Sequence, residues 1–260
     1  MTSAWRLFAL VVLSALALQL YFFSRVVLMT VIDPQSTTFQ RSEAWRLLTT
    51  SSQARGWRQQ WQPYDGIASN LKRAVIASED AGFTEHSGVE WDALEKAWER
   101  NQRAEARIER INEQIDRRAP KATPARAPAS KAAAHAQPRI VGASTITQQL
   151  AKNLFLGRER SLLRKGQEFA VTLMLEGMLS KRRILEIYLN NVEWGEGVFG
   201  AEAAAQHYFR VGAGGLGVLQ AAQLAVMLPA PKRFEKRPGS AYVVGRAGTV
   251  GARMAAVQPP

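Results

Sequence analysis

The hydrophobic and polar positions divide the chain into three regimes. From Leu7 to Phe23 the stretch LFALVVLSALALQLYFF carries no charge, and its length of about 17 residues is the lower end of what crosses a bilayer as a helix. After Ser24 and Arg25, the piece VVLMTVI extends the apolar run to Ile32. In the second regime apolar residues recur at helical spacing. Ile67, Leu71, Ala74, Val75 and Ala77 or Ser78 fall on one face of IASNLKRAVIASEDAGF, which predicts an amphipathic helix ending at Gly82. The same period returns in TITQQLAKNLFL, in LLRKGQEFAVTLMLEGMLSKRRILEIYLNN, in AEAAAQHYF and in LGVLQAAQLAVML. No segment sustains period-two alternation, so the pattern predicts a mainly α domain. The third regime buries almost nothing. EKAWERNQRAEARIERINEQIDRR alternates charges with sparse isoleucines and predicts a solvated helix, while APKATPARAPASKAAAHAQP is low in complexity and predicts a mobile linker.

These regimes set the expected organisation. Residues 1–6 form a short amino terminus, 7–32 a membrane anchor, 33–66 a membrane-proximal segment with Trp45, Trp57 and Trp61, and 67–235 the main domain, interrupted by an insertion at about 99–139. Residues 236–260 form a tail, and the Pro, Gly and basic residues from Pro229 onward predict a loose or surface-lying course. Arg6 and the terminal amine precede the apolar run, so the positive-inside rule puts the amino terminus in the cytoplasm and the bulk of the protein outside it. The sequence FFSRVVLM after the run is too bulky for signal cleavage, which favours an uncleaved anchor.

Composition narrows the function. With 260 residues and 47 % hydrophobic content the chain holds a sizeable core. Its formal net charge of +12 and pI near 10.4 favour anionic company, whether nucleic acid, an acidic membrane face or a phosphate-bearing substrate. Export argues against nucleic acid. The absence of cysteine excludes disulfides, zinc–thiolate sites and cysteine nucleophiles. His86 and His207 stand apart from other donors in the sequence and predict no resident metal site.

Four polar clusters interrupt the helical pattern. In SEDAGFTEHSG, Glu79 and Asp80 close an apolar helix, so one carboxylate can project into a cleft and act as a general base once burial raises its pKa. A solvated helix end explains the pair equally well. In VGASTITQQLAKNLFLG, Thr145, Gln148, Gln149 and Lys152 fall on neighbouring turns while Ile146, Leu150 and Phe155 can face the core. Amides and hydroxyls suit a sugar, and a lysine suits a phosphate. The third cluster places Arg164, Lys165 and Glu168 on one helix face; alone it reads as a surface salt-bridge ladder, but with Lys152 it gathers three cations that would stabilise a departing pyrophosphate. In the fourth, Gly195, Gly197 and Gly200 separate two helices and predict a tight connection for close packing rather than a phosphate loop. Ser69 and Lys72 match an S-x-x-K pattern by chance, since no partner motif follows.

Together the clusters resemble the peptidoglycan glycosyltransferase domain shared by class A penicillin-binding proteins and monofunctional transglycosylases. The motif residues are EDAGFTEHSG, GASTITQQLAKN, RKGQE and ILEIYLNNVEWG, in the family's order, with LGVLQAAQLAVMLPAP similar to its closing motif, over about Ile67 to Pro231. With an anchor in front and no transpeptidase motifs, the chain looks like the monofunctional form. The resemblance implies a lysozyme-like α-helical domain with a smaller membrane-facing lobe, acting on the periplasmic side of the bacterial inner membrane. It implies that Glu79 takes the proton from the acceptor sugar's 4-hydroxyl as that oxygen attacks the anomeric carbon of the growing chain, and that undecaprenyl pyrophosphate leaves. Glu168 would assist on the donor side; Lys152, Arg164 and Lys165 would hold the pyrophosphate; Thr145, Gln148, Gln149 and Asn153 would touch substrate. No cofactor is required by this resemblance, and a divalent cation, Mg or Mn, is compatible with the pyrophosphate. Its partners would be lipid II, the growing glycan strand and the membrane, with other cell-wall synthesis proteins as further candidates.

Three departures stand out: the long insertion, Gln220 where the closing motif commonly has an acid, and Glu90 where the first motif commonly has Asp. Two competing functions remain at this stage. A lytic transglycosylase or muramidase shares the fold and a lone glutamate but has no use for three cations beside it. A basic membrane-anchored scaffold explains the charge and the linker, but leaves Glu79 and the uncharged polar face without a purpose.

Overall fold

The structure, a computed structural model, describes residues 3–50, 56–118, 144–157, 159 and 161–260. The amino-terminal apolar run is one helix, α1 (Ser3–Leu28), and it is long and apolar enough to cross a membrane. At 1.5 Å per residue, 26 residues extend about 39 Å, more than a bilayer's hydrocarbon core. The helix stops four residues before the expected boundary at 32, because Thr30, Val31 and Ile32 turn back to bond the carbonyls of Val27 and Leu28. The segment expected only to lead into the domain holds α2 (Thr38–Thr50) and the short strand β1 (Arg58–Gln59).

Clustering of contacts divides the chain into two units, Met1–Val89 with Thr145–Pro260, and Glu90–Ser144. In the first unit, α3 (Ser69–Glu79) buries Leu71, Ala74, Val75, Ile76 and Ala77, the face its spacing predicted. It ends at Glu79, three residues before the expected stop at Gly82, and Asp80 leaves helical geometry. The described part of the second unit is essentially α4 (Trp91–Arg118), the charged helix expected there; the Ala/Pro-rich linker lies outside the described residues. Glu90, one of the departures, gives its carbonyl to Leu94 at the start of α4.

The first unit resumes with α5 (Ile146–Phe155), α6 (Leu162–Met178) and α7 (Lys181–Asn191), each opened by a Thr or Ser whose oxygen accepts a backbone N–H of the first turn. α5 packs against both α6 and α7. Between α7 and α8 (Ala201–Phe209) the glycine-rich connection forms β2 (Glu193–Gly195) and β3 (Val198–Phe199), which join β1 in the order β1-β3-β2, with β1 parallel and β2 antiparallel to β3. These strands are too short to carry an alternation signal. The expectation of close packing holds at Gly200: its φ is +84°, and a Cβ there would lie 2.7 Å from the carbonyl oxygen of Asn190.

α9 (Val218–Met227) follows, and Gln220 accepts the N–H of Gly217 at 2.9 Å, so the amide fills the acceptor role that an acid would play at this helix start. α10 (Pro231–Phe234) leads to α11 (Ala241–Arg253). The tail expected to be loose is therefore a packed element. Ser240 caps α11, and Val243, Ala247, Val250 and Met254 are buried, with α11 lying along α9 and α3. The centre of the unit holds Trp194, Tyr188, Phe83 and Phe199, all fully buried, and Trp194 donates its indole N–H to the carbonyl of Leu224.

Candidate active site

Two buried groups set the framework on which the site is built. Asp80, 5 % exposed, accepts the N–H of Ile146, the first residue of α5, at 2.9 Å, and pairs with His86 Nε2 at 2.8 Å. His86 Nδ1 accepts from Gly88 N–H at 3.1 Å, so the proton of the neutral ring sits on Nε2 and is donated to Asp80. The negative carboxylate at the start of α5 also suits the helix dipole. His86 is thus not isolated, as its sequence position had suggested; it holds Asp80 against α5. Gly88 closes the arrangement with φ +85°, and a Cβ there would fall 2.7 Å from Thr172 Cγ2 and 2.8 Å from Glu176 Cγ on α6. Only glycine lets this loop lie so close to α6.

Thr145 and Gln148 take part in the same framework. The Thr145 hydroxyl donates to Gly88 O at 2.6 Å and accepts from Gln148 N–H, while Gln148 Oε1 accepts from Thr145 N–H. This reciprocal capping box occupies both side chains, which are 3 % and 8 % exposed. The T-x-x-Q spacing ahead of an apolar run was the sequence signal for it. Thr147, fully buried, donates to Glu176, which also receives Lys181 at 2.8 Å. Lys72, the residue of the chance S-x-x-K match, donates to Tyr64 O at 2.8 Å and lies over the Tyr64 ring.

The functional side chains project from this frame. Glu79, from the last turn of α3, accepts a 2.9 Å hydrogen bond from Gln149 Nε2 on α5. Gln149 Oε1 in turn accepts from the Tyr188 hydroxyl on α7 at 2.9 Å. Burial raises the Glu79 pKa above the ordinary carboxylate value; the Gln149 bond opposes the rise, the charge of Asp80 adds to it and Lys152 opposes it. Tyr188 is buried, which pushes its phenol well above its usual value and keeps it a hydrogen-bond donor. Sequence reasoning passed over Tyr188, because a single tyrosine within ILEIYLNN carries no spacing signal.

On α6, Glu168 is 3 % exposed and receives Arg164 at 2.8 Å on one oxygen and Lys165 on the other. A surface ladder would leave this carboxylate in water; here only Lys165 is substantially exposed. Lys152, one helix away on α5, is electrostatically coupled to Glu168, Arg164, Lys165 and Glu79 together. Although its side chain reaches solvent, enough protein surrounds the ammonium for desolvation to lower its pKa, aided by Arg164 and Lys165 and opposed by the two glutamates. Asn153 follows it, half-buried on the same helix. The structure therefore gathers Glu79, Gln149, Lys152, Arg164, Lys165 and Glu168, and adds Tyr188. An acid of raised pKa, Glu79, and a carboxylate held by two cations, Glu168, both act electrostatically on Lys152. That set can remove a proton and stabilise an anion.

Comparison with known proteins bears on what this site serves. A family model described as Transglycosylase matches residues 46–110 and 122–255, well over half of the chain. The chain belongs to the transglycosylase family. Relatives of this transglycosylase agree: it is 48 % identical to a protein of Burkholderia pseudomallei over 245 residues, covering 94 % of this chain and 83 % of the relative. It is 49 % identical to one of Cupriavidus pinatubonensis over 96 % of this chain and 88 % of the relative, and 45 % identical to one of Burkholderia multivorans over 98 % and 92 %. All three are called biosynthetic peptidoglycan transglycosylase. The mainly α, lysozyme-like fold expected from the motifs is that of the family's domain. The matched region runs to residue 255, so α11 of this transglycosylase lies within the family's domain and is no appendage.

Proposed function

We propose that this transglycosylase is a peptidoglycan glycosyltransferase that polymerises lipid II into glycan strands and releases undecaprenyl pyrophosphate, in bacterial cell-wall synthesis. Glu79 acts as general base on the acceptor's 4-hydroxyl. As that oxygen bonds to the anomeric carbon of the growing chain, the bond from this carbon to the pyrophosphate oxygen breaks and the electron pair leaves with the pyrophosphate. Lys152, Arg164 and Lys165 meet the charge that develops there, and Glu168 keeps Arg164 and Lys165 in place. Gln149 orients Glu79, and Asn153 contacts substrate. A divalent cation, Mg or Mn, would come as a counter-ion of the pyrophosphate and neutralise part of its charge, with Glu79 and Glu168 as the carboxylates that could hold it. The helix α1 anchors the enzyme in the inner membrane with the domain on the periplasmic side, where lipid-linked substrate is presented.

The observation that carries this reading is Lys152, which is coupled to Glu79 and to the Glu168–Arg164–Lys165 group at once. A glycan-cleaving enzyme of similar fold needs the acid but not the cations. Incubation of the full chain with labelled lipid II in detergent, with products resolved by length, tests the proposal. Glycan polymer with equimolar release of undecaprenyl pyrophosphate is expected. Shortening of added glycan would establish the lytic alternative, and neither product would leave a membrane-anchored scaffold.

A further inference from the structure

The carboxyl end of α1 borders a cavity of about 350 Å³ that the catalytic groups do not line. Its walls are of two kinds. Leu28, Met29 and Ile32 are apolar, and Arg25 and Arg41 are cationic. Neither arginine has an ion pair among the described residues. Arg25 meets the Tyr21 hydroxyl at 3.4 Å and lies 6.0 Å from the centre of the same ring, and Arg41 is held by Ser36 and by Thr38 Oγ1 at 3.0 Å. The one acid on the wall, Asp33, is taken by Arg183 at 2.7 Å. The cavity thus carries two guanidinium charges that its own lining does not neutralise.

Other features of this end of the helix favour an anion with an apolar tail. A helix's last carbonyls ordinarily present partial negative charge. Here the backbone N–H groups of Met29, Thr30, Val31 and Ile32 and the Thr30 hydroxyl bond the carbonyls of residues 25–28. Leu20, Phe23, Val27 and Leu28, in the turns just before the cavity, are exposed and apolar. If α1 spans the bilayer, Arg25 in its last turn lies at headgroup depth, where a guanidinium meets phosphate and the exposed turns below it meet acyl chains.

We propose that this cavity binds the phosphate headgroup of an anionic phospholipid, with Arg25 and Arg41 as its ligands and the acyl chains lying along the exposed face of α1. Arginine suits the task because its planar fork bonds two phosphate oxygens at once. The bound lipid would fix the junction between α1 and α2, and with it the height of the domain above the bilayer. The proposal rests on α1 spanning a membrane and not on the chemistry of the active site.

The test uses the full chain in nanodiscs containing equal phosphatidylglycerol and phosphatidylcholine, followed by extraction and native mass spectrometry of the retained lipid. The wild type is expected to retain phosphatidylglycerol about thirtyfold over phosphatidylcholine, from about 1 kcal/mol for each of the two arginines at the surface. The R25Q/R41Q variant is expected to lose most of that preference, R25K/R41K to keep part of it, and R246Q/R253Q, altered on the exposed side of α11, to keep it all. Circular dichroism and liposome flotation check that each variant is folded and inserted. A wild type without preference, or an undiminished preference in R25Q/R41Q, would overturn the site. Inorganic phosphate in phosphatidylcholine discs that raises the melting temperature as much as phosphatidylglycerol does would assign the cavity to free phosphate and overturn the lipid. Failure of the wild type to float with liposomes would remove the premise about α1, while leaving polymerisation in detergent to be judged separately.

Discussion

Gln149 donates its side-chain N–H to Glu79 at 2.9 Å, and the Tyr188 hydroxyl donates to the oxygen of the same amide at 2.9 Å. An amide has one donor end and one acceptor end, and the buried phenol fixes which of them faces the carboxylate. The base is thus oriented from three helices, α3, α5 and α7.

Tyr188→Phe removes that control. Gln149 then loses the bond from Tyr188 that favours its donor toward Glu79, and the Gln149 bond to the carboxylate is weakened. The Glu79 pKa, already raised by burial, is expected to rise further, since the Gln149 bond is what lowers it. The acidic limb of the rate profile should move to higher pH, with a loss of about five- to tenfold at neutral pH, the value of about one hydrogen bond. A pH–rate profile checks this; an unshifted limb would mean that the Tyr188 bond does not set the base.

Lys152→Gln removes the charge common to both halves of the site. Loss of one preorganised donor to a developing anion lowers the rate by about 10²–10³. The effect should fall on kcat rather than on KM, because the pyrophosphate gains charge as the bond breaks. Steady-state kinetics on lipid II separate the two. A change in KM alone would make Lys152 a ground-state contact.

A third expectation concerns stability. Glu43 on α2 is fully buried. Burial alone would raise its pKa, yet bonds from Arg46 at 2.6 Å and Lys232 at 2.5 Å bring it down to about 2. A carboxylate whose folded pKa lies below its unfolded value adds stability above about pH 4.5, and that contribution disappears as the pH falls toward 2. It amounts to about 3 kcal/mol. Melting temperatures taken from pH 6 down to pH 2.5 should fall for the wild type. Glu43→Gln should start lower and fall less over the same range; parallel curves would mean that another group dominates the acid limb.

How much of this was legible in the sequence depended on the kind of signal. Glu79 and the cations were singled out by a charged helix end and by helical spacing, signals that a solvated helix end and a surface ladder share, and their proposed roles came from the resemblance of EDAGFTEHSG and RKGQE to the family's motifs. The capping role of Thr145 and Gln148 was passed over because hydroxyl and amide side chains suit a helix cap and a sugar equally well, although the T-x-x-Q spacing is that of a cap. Residues 241–253 read as a tail because Gly245, Gly248 and Gly251 lower helix propensity, although Val243, Ala247, Val250 and Met254 keep a helical period. The roles of His86 and Tyr188 depend on partners brought together by the fold, and no local pattern encodes that.

The central claim is that Glu79 is the base, and Glu79→Gln tests it most directly. The charged form of Glu79 is disfavoured by burial, so its folded pKa is raised and the stability it contributes declines as pH rises through that value. A neutral glutamine should therefore leave the protein about as stable at neutral pH, which circular dichroism and a melting curve check. With wild type and variant matched by circular dichroism and supplied with labelled lipid II, the account predicts glycan polymer from the wild type and none from Glu79→Gln. Polymer from the variant at the wild-type rate would contradict it.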